Sequence, residues 1–229
     1  MRKIQSNPHI SRIRRSWGSN EGVGRRFKSG HRLIVDKSAG RVWYDEVPMD
    51  RKNWFKFIIG WALVFAYRLM PFRVPNVEPV LAVAMPFSKK YGAWAGFLFG
   101  LLSIALFDVA MGSAGWWTVI TALAYGLVGA GAAWFFRKRE AKTLNFLAYG
   151  IMGTIAYDAL TGLTVGPLLF GQPLAAAFFG QVPFTLMHLA GTAVFSLVVS
   201  PLVYRWIVRN PSLDTGALFG RIAGAGAAS

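Results

Sequence analysis

The sequence predicts an all-α membrane protein: a bundle of six transmembrane helices, the second one short, with the amino and carboxyl termini cytoplasmic. Three observations predict it. Of 229 residues, 54% are hydrophobic and 15% charged, against roughly 25% charged in an average soluble domain. The charge is segregated, with 13 Lys/Arg and 5 Asp/Glu in residues 1–53 and 12 and 5 in residues 54–229. From Trp54 onward, apolar runs recur at lengths that cross a hydrocarbon core of ~30 Å at ~1.5 Å per residue.

Residues 1–53 read as a basic cytoplasmic extension. No apolar stretch follows Met1-Arg2-Lys3 to make a signal peptide, and Arg14-Arg15 lacks the context of a twin-arginine export signal. Within it, His31–Asp36 and Arg41–Asp45, separated by Lys-Ser-Ala-Gly, have the alternation of a small hairpin over 31–45. The remainder, rich in Ser, Gly and Arg, has the composition of a disordered segment. Its excess of positive charge suits anionic lipids of the inner leaflet, at about 1 kcal/mol per basic residue near the surface. No nucleic acid is expected, because no recognition motif accompanies the charge.

The membrane domain, 54–209, contains the runs Trp54–Met70, Val77–Phe87, Tyr91–Gly112, Trp116–Phe136, Leu144–Leu163 and Pro183–Val208. The second is short and bracketed by Pro79 and Pro86, so length alone leaves it a crossing or a re-entrant segment. Loop charge favours a crossing. With six crossings and the amino terminus inside, Lys89-Lys90, the Arg137–Arg139 cluster with Lys142, and Arg205 with Arg209 all face the cytoplasm, and only Arg68 and Arg73 fall outside. Residues 210–229 are then a cytoplasmic tail, and the protein belongs in the plasma membrane.

That orientation collects the polar residues of the runs on the outer half. Glu78, Asp108, Asp158, Arg68, Arg73 and His188 all lie there. Ionisable groups in lipid are costly and face the bundle interior, where they pair or bind something. Two readings stay open: a buried ion pair of Arg68 with Asp108 or Asp158 that fixes helix register, or an outward-facing pocket for a polar small molecule. Thr154 and Thr161 share the helix face of Asp158. A lone His188 is ordinarily a satisfied core residue. Trp116-Trp117 read first as interfacial anchors, with stacking on a flat ligand as the alternative use.

The first run has two faces. At about 100° per residue, Ala62 and Ala66 lie about 40° apart and Arg68 is about 140° round from their midpoint. Small residues at this spacing let another helix approach, whether a partner's or one of the bundle's own. Gly92, Gly96 and Gly100 form a second such stripe, read as packing within the bundle.

Three segments carry a resemblance. Arg68-Leu-Met-Pro-Phe-Arg-Val-Pro-Asn-Val-Glu-Pro-Val80, then Phe107–Thr118 with Ala124–Gly129, then Val182–Gly191, in this order across six spans, resemble the substrate-binding S component of energy-coupling factor (ECF) transporters. The resemblance implies a component that captures a vitamin or related micronutrient in an outward-facing pocket. It also implies a membrane T subunit and two ATP-hydrolysing subunits as partners, with Ala62 and Ala66 at the alanine-rich docking surface for the T subunit. The ligand is then expected at Arg68, Asn76, Glu78, Asp108, Trp117, Asp158, Thr161 and His188, with no cofactor and no metal. The 53 residues before the first span depart from the family's pattern.

Two other functions compete. An intramembrane enzyme would use Asp158 and His188 as acid and base, but the spans lack a nucleophile turn and a His-Glu-x-x-His metal site, and cysteine is absent. A structural membrane scaffold would use the polar cluster as internal glue.

Overall fold

The computed structural model describes residues 53–217 in full, and the backbone of Arg25–Arg26, Arg32–Asp36 and Arg41–Asp45 before them. The chain divides into two units, 1–45 and 46–229. In the first, β1 (Arg25–Arg26), β2 (Arg32–Asp36) and β3 (Arg41–Asp45) form an antiparallel sheet in that order. Ile34 pairs with Trp43 and Val35 with Val42. The disorder expected for the rest of residues 1–53, and most of the expected tail (218–229), lie outside the described residues.

The second unit has helices and no strands among its described residues. Among the described residues it has α1 (Trp54–Arg68), α2 (Val80–Tyr91), α3 (Ala93–Ala110), α4 (Trp116–Phe136), α5 (Thr143–Gly162), α6 (Val165–Phe170) and α7 (Leu174–Val203), the last running on into a π-helical turn at Tyr204–Val208. Among the described residues, four stretches are long and apolar enough to cross a membrane: Ala93–Ala110, Trp116–Phe136, Thr143–Phe170 and Leu174–Val208. The helix α1 has 15 residues and α2 has 12, about 22 Å and 18 Å at ~1.5 Å per residue.

The seven helices differ from the expected six at two places, both at prolines. The run read as starting at Val77 starts at Val80, because Pro79 takes the cap position and Pro86 is carried inside the helix. Lys89 and Lys90 therefore close the last turn of α2, where the helix dipole favours cations. Gly92, at φ 88°, is the whole link to α3, a conformation that glycine alone adopts without strain. At the other end of the chain the expected loop 164–182 is largely helical. Pro183 suggested a helix start, the usual place for proline, but α7 begins nine residues earlier at Leu174 and carries both Pro183 and Pro201 within it. Such breaks are tolerated in membrane helices, where neighbouring groups satisfy the freed backbone.

Close approach of α3 and α4 organises the core. Gly96 lies against the Gly129 backbone and Gly100 against the Tyr125 carbonyl, so closely that a Cβ on either glycine would collide with backbone. These are two of the three glycines of the expected packing stripe, and α4 is what they pack on; the third, Gly92, is the link before α3. Nearer the α2–α3 link, Phe57, Phe87, Tyr91 and Phe99 form a buried ring cluster, with Phe57 and Phe87 centroids 4.6 Å apart and Phe87 and Phe99 stacked at 4.9 Å.

The helices α5 and α7 meet along a polar seam. Its rungs, spaced four residues on each helix, are Asp158 with His188, Thr154 with Thr192 at 2.8 Å between hydroxyls, and Gly150 against the Ser196 hydroxyl. Ser200 continues the α7 row and donates to the Ala82 carbonyl of α2 at 2.7 Å. Hydrogen bonds of this kind hold helices together where lipid offers no hydrophobic drive. They also fix the register of α5 on α7.

Candidate functional site

A cavity of about 250 Å³ lies where the end of α1 and the 69–79 loop meet α3, α4, α5 and α7; its lining includes Arg68, Asn76, Glu78, Asp108, Trp117 and His188. Local sequence explains how each arrives. Arg68 closes α1, and the loop after it turns at Asn76, whose φ of 63° is one that Asn tolerates better than most residues. Val77 then packs on Gly191 of α7, where a Cβ would meet it at 2.8 Å, and this seats Glu78 at the cavity. Asp108 stands in the last turn of α3. Its Oδ2 accepts a hydrogen bond from Thr118 Oγ1 at 2.7 Å, while the same oxygen of Thr118 accepts from the Gly115 N–H at 3.1 Å. Trp117 lies over Gly115, which has no side chain to displace it.

The charged groups form a loose cluster. Arg68 Nη2 is 3.8 Å from Glu78 Oε1 and 3.9 Å from Asp108 Oδ1, and Arg73 Nη1 is 3.6 Å from Glu78 Oε1. These are ion pairs beyond hydrogen-bond length. Arg68 also donates from Nη1 to the Ser103 carbonyl at 3.4 Å and lies 4.0 Å from the centre of the Phe107 ring, whereas its buried Nε has no partner. The cavity thus brings Arg68 together with carboxylates whose nearest cations are held at a distance. A small polar molecule bearing both donors and acceptors meets complementary groups there.

Aromatic rings make up much of the remaining wall. The rings of Tyr125 and Tyr157 are 4.0 Å apart, and His188 stands edge-on to Tyr157 and to Phe184, at 5.8 Å and 6.1 Å. His188 Nδ1 is 2.8 Å from Asp158 Oδ1 and its Nε2 is 3.4 Å from the Tyr125 hydroxyl.

Of the residues expected to bind ligand, Arg68, Asn76, Glu78, Asp108, Trp117 and His188 line this one cavity. Asp158 and Thr161 do not. Asp158 is behind His188, and Thr161 donates to the Tyr157 carbonyl of its own helix at 2.9 Å. His188 itself lies well inside α7, which begins at Leu174. Asp158 borders a second cavity of about 250 Å³ between α5 and α7, whose walls are apolar apart from Asp158, Gln181 and Thr185. Ala62 and Ala66 are exposed on α1, in line with Trp54 and Ile58 at four-residue spacing.

Sequence reasoning missed Tyr125, Tyr157, Phe184, Ser113, Thr121 and Ile104 in the cavity wall. An aromatic inside an apolar run looks the same whether it faces a core or a cavity. The available signals were positional: Phe184 precedes His188 by one turn, and Tyr157 adjoins Asp158.

Over residues 56–205 the chain matches the family described as ECF-type riboflavin transporter, S component. It is also similar to the UPF0397 protein YdcD of Lactococcus lactis subsp. lactis (strain IL1403), with 29% identity over 169 residues, covering 69% of this chain and 88% of that protein. No solved structure matches the chain.

Proposed function

The chain belongs to the ECF-type riboflavin transporter S component family, a family of multi-pass membrane transport components and not of enzymes, and from that premise we propose how it captures its substrate. The ligand is a flat, uncharged vitamin-like heterocycle with hydrogen-bonding edges, and riboflavin, which the family's description names, is the first candidate. It occupies the cavity between Arg68, Asn76, Glu78, Asp108, Trp117 and His188. The observation that carries this reading is the pairing, in one cavity lining, of an aromatic wall with Arg68 and two loosely held carboxylates. Because two arginines already answer the two carboxylates, the cavity has no excess charge for a strongly ionic ligand to neutralise. Its volume, about 250 Å³, is just below the ~300–1,000 Å³ usual for such sites, so the 69–79 loop shifts outward as the ligand enters.

The crossing count is part of the proposal. Six helices cross, α1 and α2 among them, with α2 short but buried along most of its length and flanked by Lys89-Lys90. The termini and the basic loops are cytoplasmic, and the cavity opens outward. Anionic lipids gather at the basic amino-terminal segment. The exposed Ala62 and Ala66 face on α1 receives the T subunit, which with two ATP-hydrolysing subunits drives uptake.

Titration of the purified protein with riboflavin and a panel of other vitamins, followed by ligand fluorescence or calorimetry, tests the reading. Saturable binding of riboflavin, weakened at least tenfold by Asp108→Ala in a folded protein, is expected. Binding of no panel member would overturn it.

A further inference from the structure

We infer that Asp158 is a positioning residue that acts through His188 to make the Tyr125 hydroxyl an acceptor for a ring N–H of the ligand. The inference rests on the proposed cavity and on a heterocyclic occupant.

Three buried side chains form a relay. Asp158 is 1% exposed and His188 4%. An ionised carboxylate can only accept a hydrogen bond, so the 2.8 Å contact of Asp158 Oδ1 with His188 Nδ1 places a proton on Nδ1. A neutral ring then carries a bare lone pair on Nε2. The Tyr125 hydroxyl, 3.4 Å away, donates its single proton to that nitrogen. What remains on the Tyr125 oxygen is lone pairs, and Tyr125 lines the cavity whereas Asp158 does not. The acid therefore never needs to touch the ligand. It decides which way a hydroxyl in the wall points.

The surroundings hold this geometry. The Thr154–Thr192 rung lies one turn further along the α5–α7 seam and fixes the register that brings Asp158 opposite His188. Tyr157 and Phe184 stand perpendicular to the imidazole, at 90° and 87°, and leave the ring little freedom to rotate. The Tyr125 and Tyr157 rings meet at 4.0 Å between centroids, tilted by 36°, so a flat ligand laid along this wall brings its edge toward the Tyr125 oxygen. A site built to receive an N–H discriminates sharply against an analogue that lacks it, because the buried acceptor is left unpaired.

The test compares affinities of the full-length protein for riboflavin and for N3-methylriboflavin, in which the ring N–H is replaced by N–CH3. The wild-type protein is expected to prefer riboflavin by about tenfold or more. In Asp158→Asn the side-chain amide can donate to Nδ1 and release the tautomer, and the preference is expected to fall to within about threefold. Tyr125→Phe, which leaves the Asp158–His188 bond in place, is expected to lose the preference equally. If Asp158→Asn does not fold, His188→Gln breaks the same link and is read by the same ratio. A variant that weakens both ligands in proportion, keeping the wild-type ratio, would show Asp158 to be structural glue and overturn the inference. So would loss of the ratio in Tyr125→Phe alone. Should the wild-type protein bind neither flavin while binding another vitamin, the flavin reading falls and this inference with it.

Discussion

Glu78 is shared by two arginines: its Oε1 lies 3.8 Å from Arg68 Nη2 at the end of α1 and 3.6 Å from Arg73 Nη1 in the following loop. One carboxylate thus ties the loop to the helix it leaves. Both contacts are longer than hydrogen bonds, so the tie is loose enough for a ligand to compete for it.

The first prediction concerns this cluster. Arg68→Met removes the cation that faces both Glu78 and Asp108 and leaves two partly buried carboxylates without it, a change that costs roughly 3–5 kcal/mol when a buried pair is broken. A fall in thermal stability in detergent, together with loss of ligand binding, is expected. Glu78→Gln keeps the Arg68–Asp108 contact and the loop's packing on Gly191. It is expected to weaken ligand at least tenfold while shifting the melting temperature far less.

A second prediction separates two kinds of glycine. Gly96→Ala drives a Cβ into the Gly129 backbone, and overpacking of this sort costs about 1–3 kcal/mol or more. Gly112→Ala meets open space but must hold φ at 66°, which costs about 1 kcal/mol. Thermal unfolding of both variants is expected to rank Gly96→Ala as clearly the worse.

At the opposite end from the cavity, Lys56 Nζ lies 2.5 Å from Asp214 Oδ1 and donates to the Val208 carbonyl at 3.3 Å, where the Tyr91 hydroxyl also donates. The π-helical turn leaves that carbonyl open to both. Lys56 is buried, while the Asp214 side chain is 40% exposed, so solvent screens part of the attraction. A double-mutant cycle of Lys56→Met and Asp214→Asn is expected to give a favourable coupling of about 0.5–1 kcal/mol. Ligand affinity should not change, because neither residue lines the cavity.

The exposed stripe on α1 makes a fourth prediction. Ala62 and Ala66 are both exposed among the described residues, so Ala62→Leu with Ala66→Leu is expected to leave folding and ligand affinity unchanged. Close helix approach depends on small side chains. Co-purification with a co-expressed T subunit is therefore expected to drop severalfold, whereas equal recovery would remove α1 as the docking face.

How far the sequence disclosed this structure depends on which residues carried the signal. Trp116–Phe136 was legible to the residue, because a loop of Gly and Ser precedes it and Arg137 follows. The ends of α2 and α7 were not, since Pro79, Pro86 and Pro183 are ambiguous between capping a helix and lying within it. Charge marked the cavity well: Arg68, Glu78 and Asp108 are too costly in lipid to be there without partners. Asp158 and Thr161 were equally visible, but spacing on α5 alone could not show that His188 would stand between Asp158 and the cavity. The aromatic wall stayed hidden because Tyr125, Tyr157 and Phe184 differ from core residues only in what they face. That depends on the α5–α7 register, which four-residue hydroxyl spacing on each helix suggests only once the two helices are known to pair.

Native mass spectrometry of the protein purified in mild detergent, after exposure to riboflavin at micromolar concentration, shows whether the cavity holds a ligand. A one-to-one complex is expected in the wild-type protein, disappearing in Asp108→Ala while the apoprotein stays folded. A wild-type protein that carries no small molecule, or a complex that survives unchanged in Asp108→Ala, would contradict it.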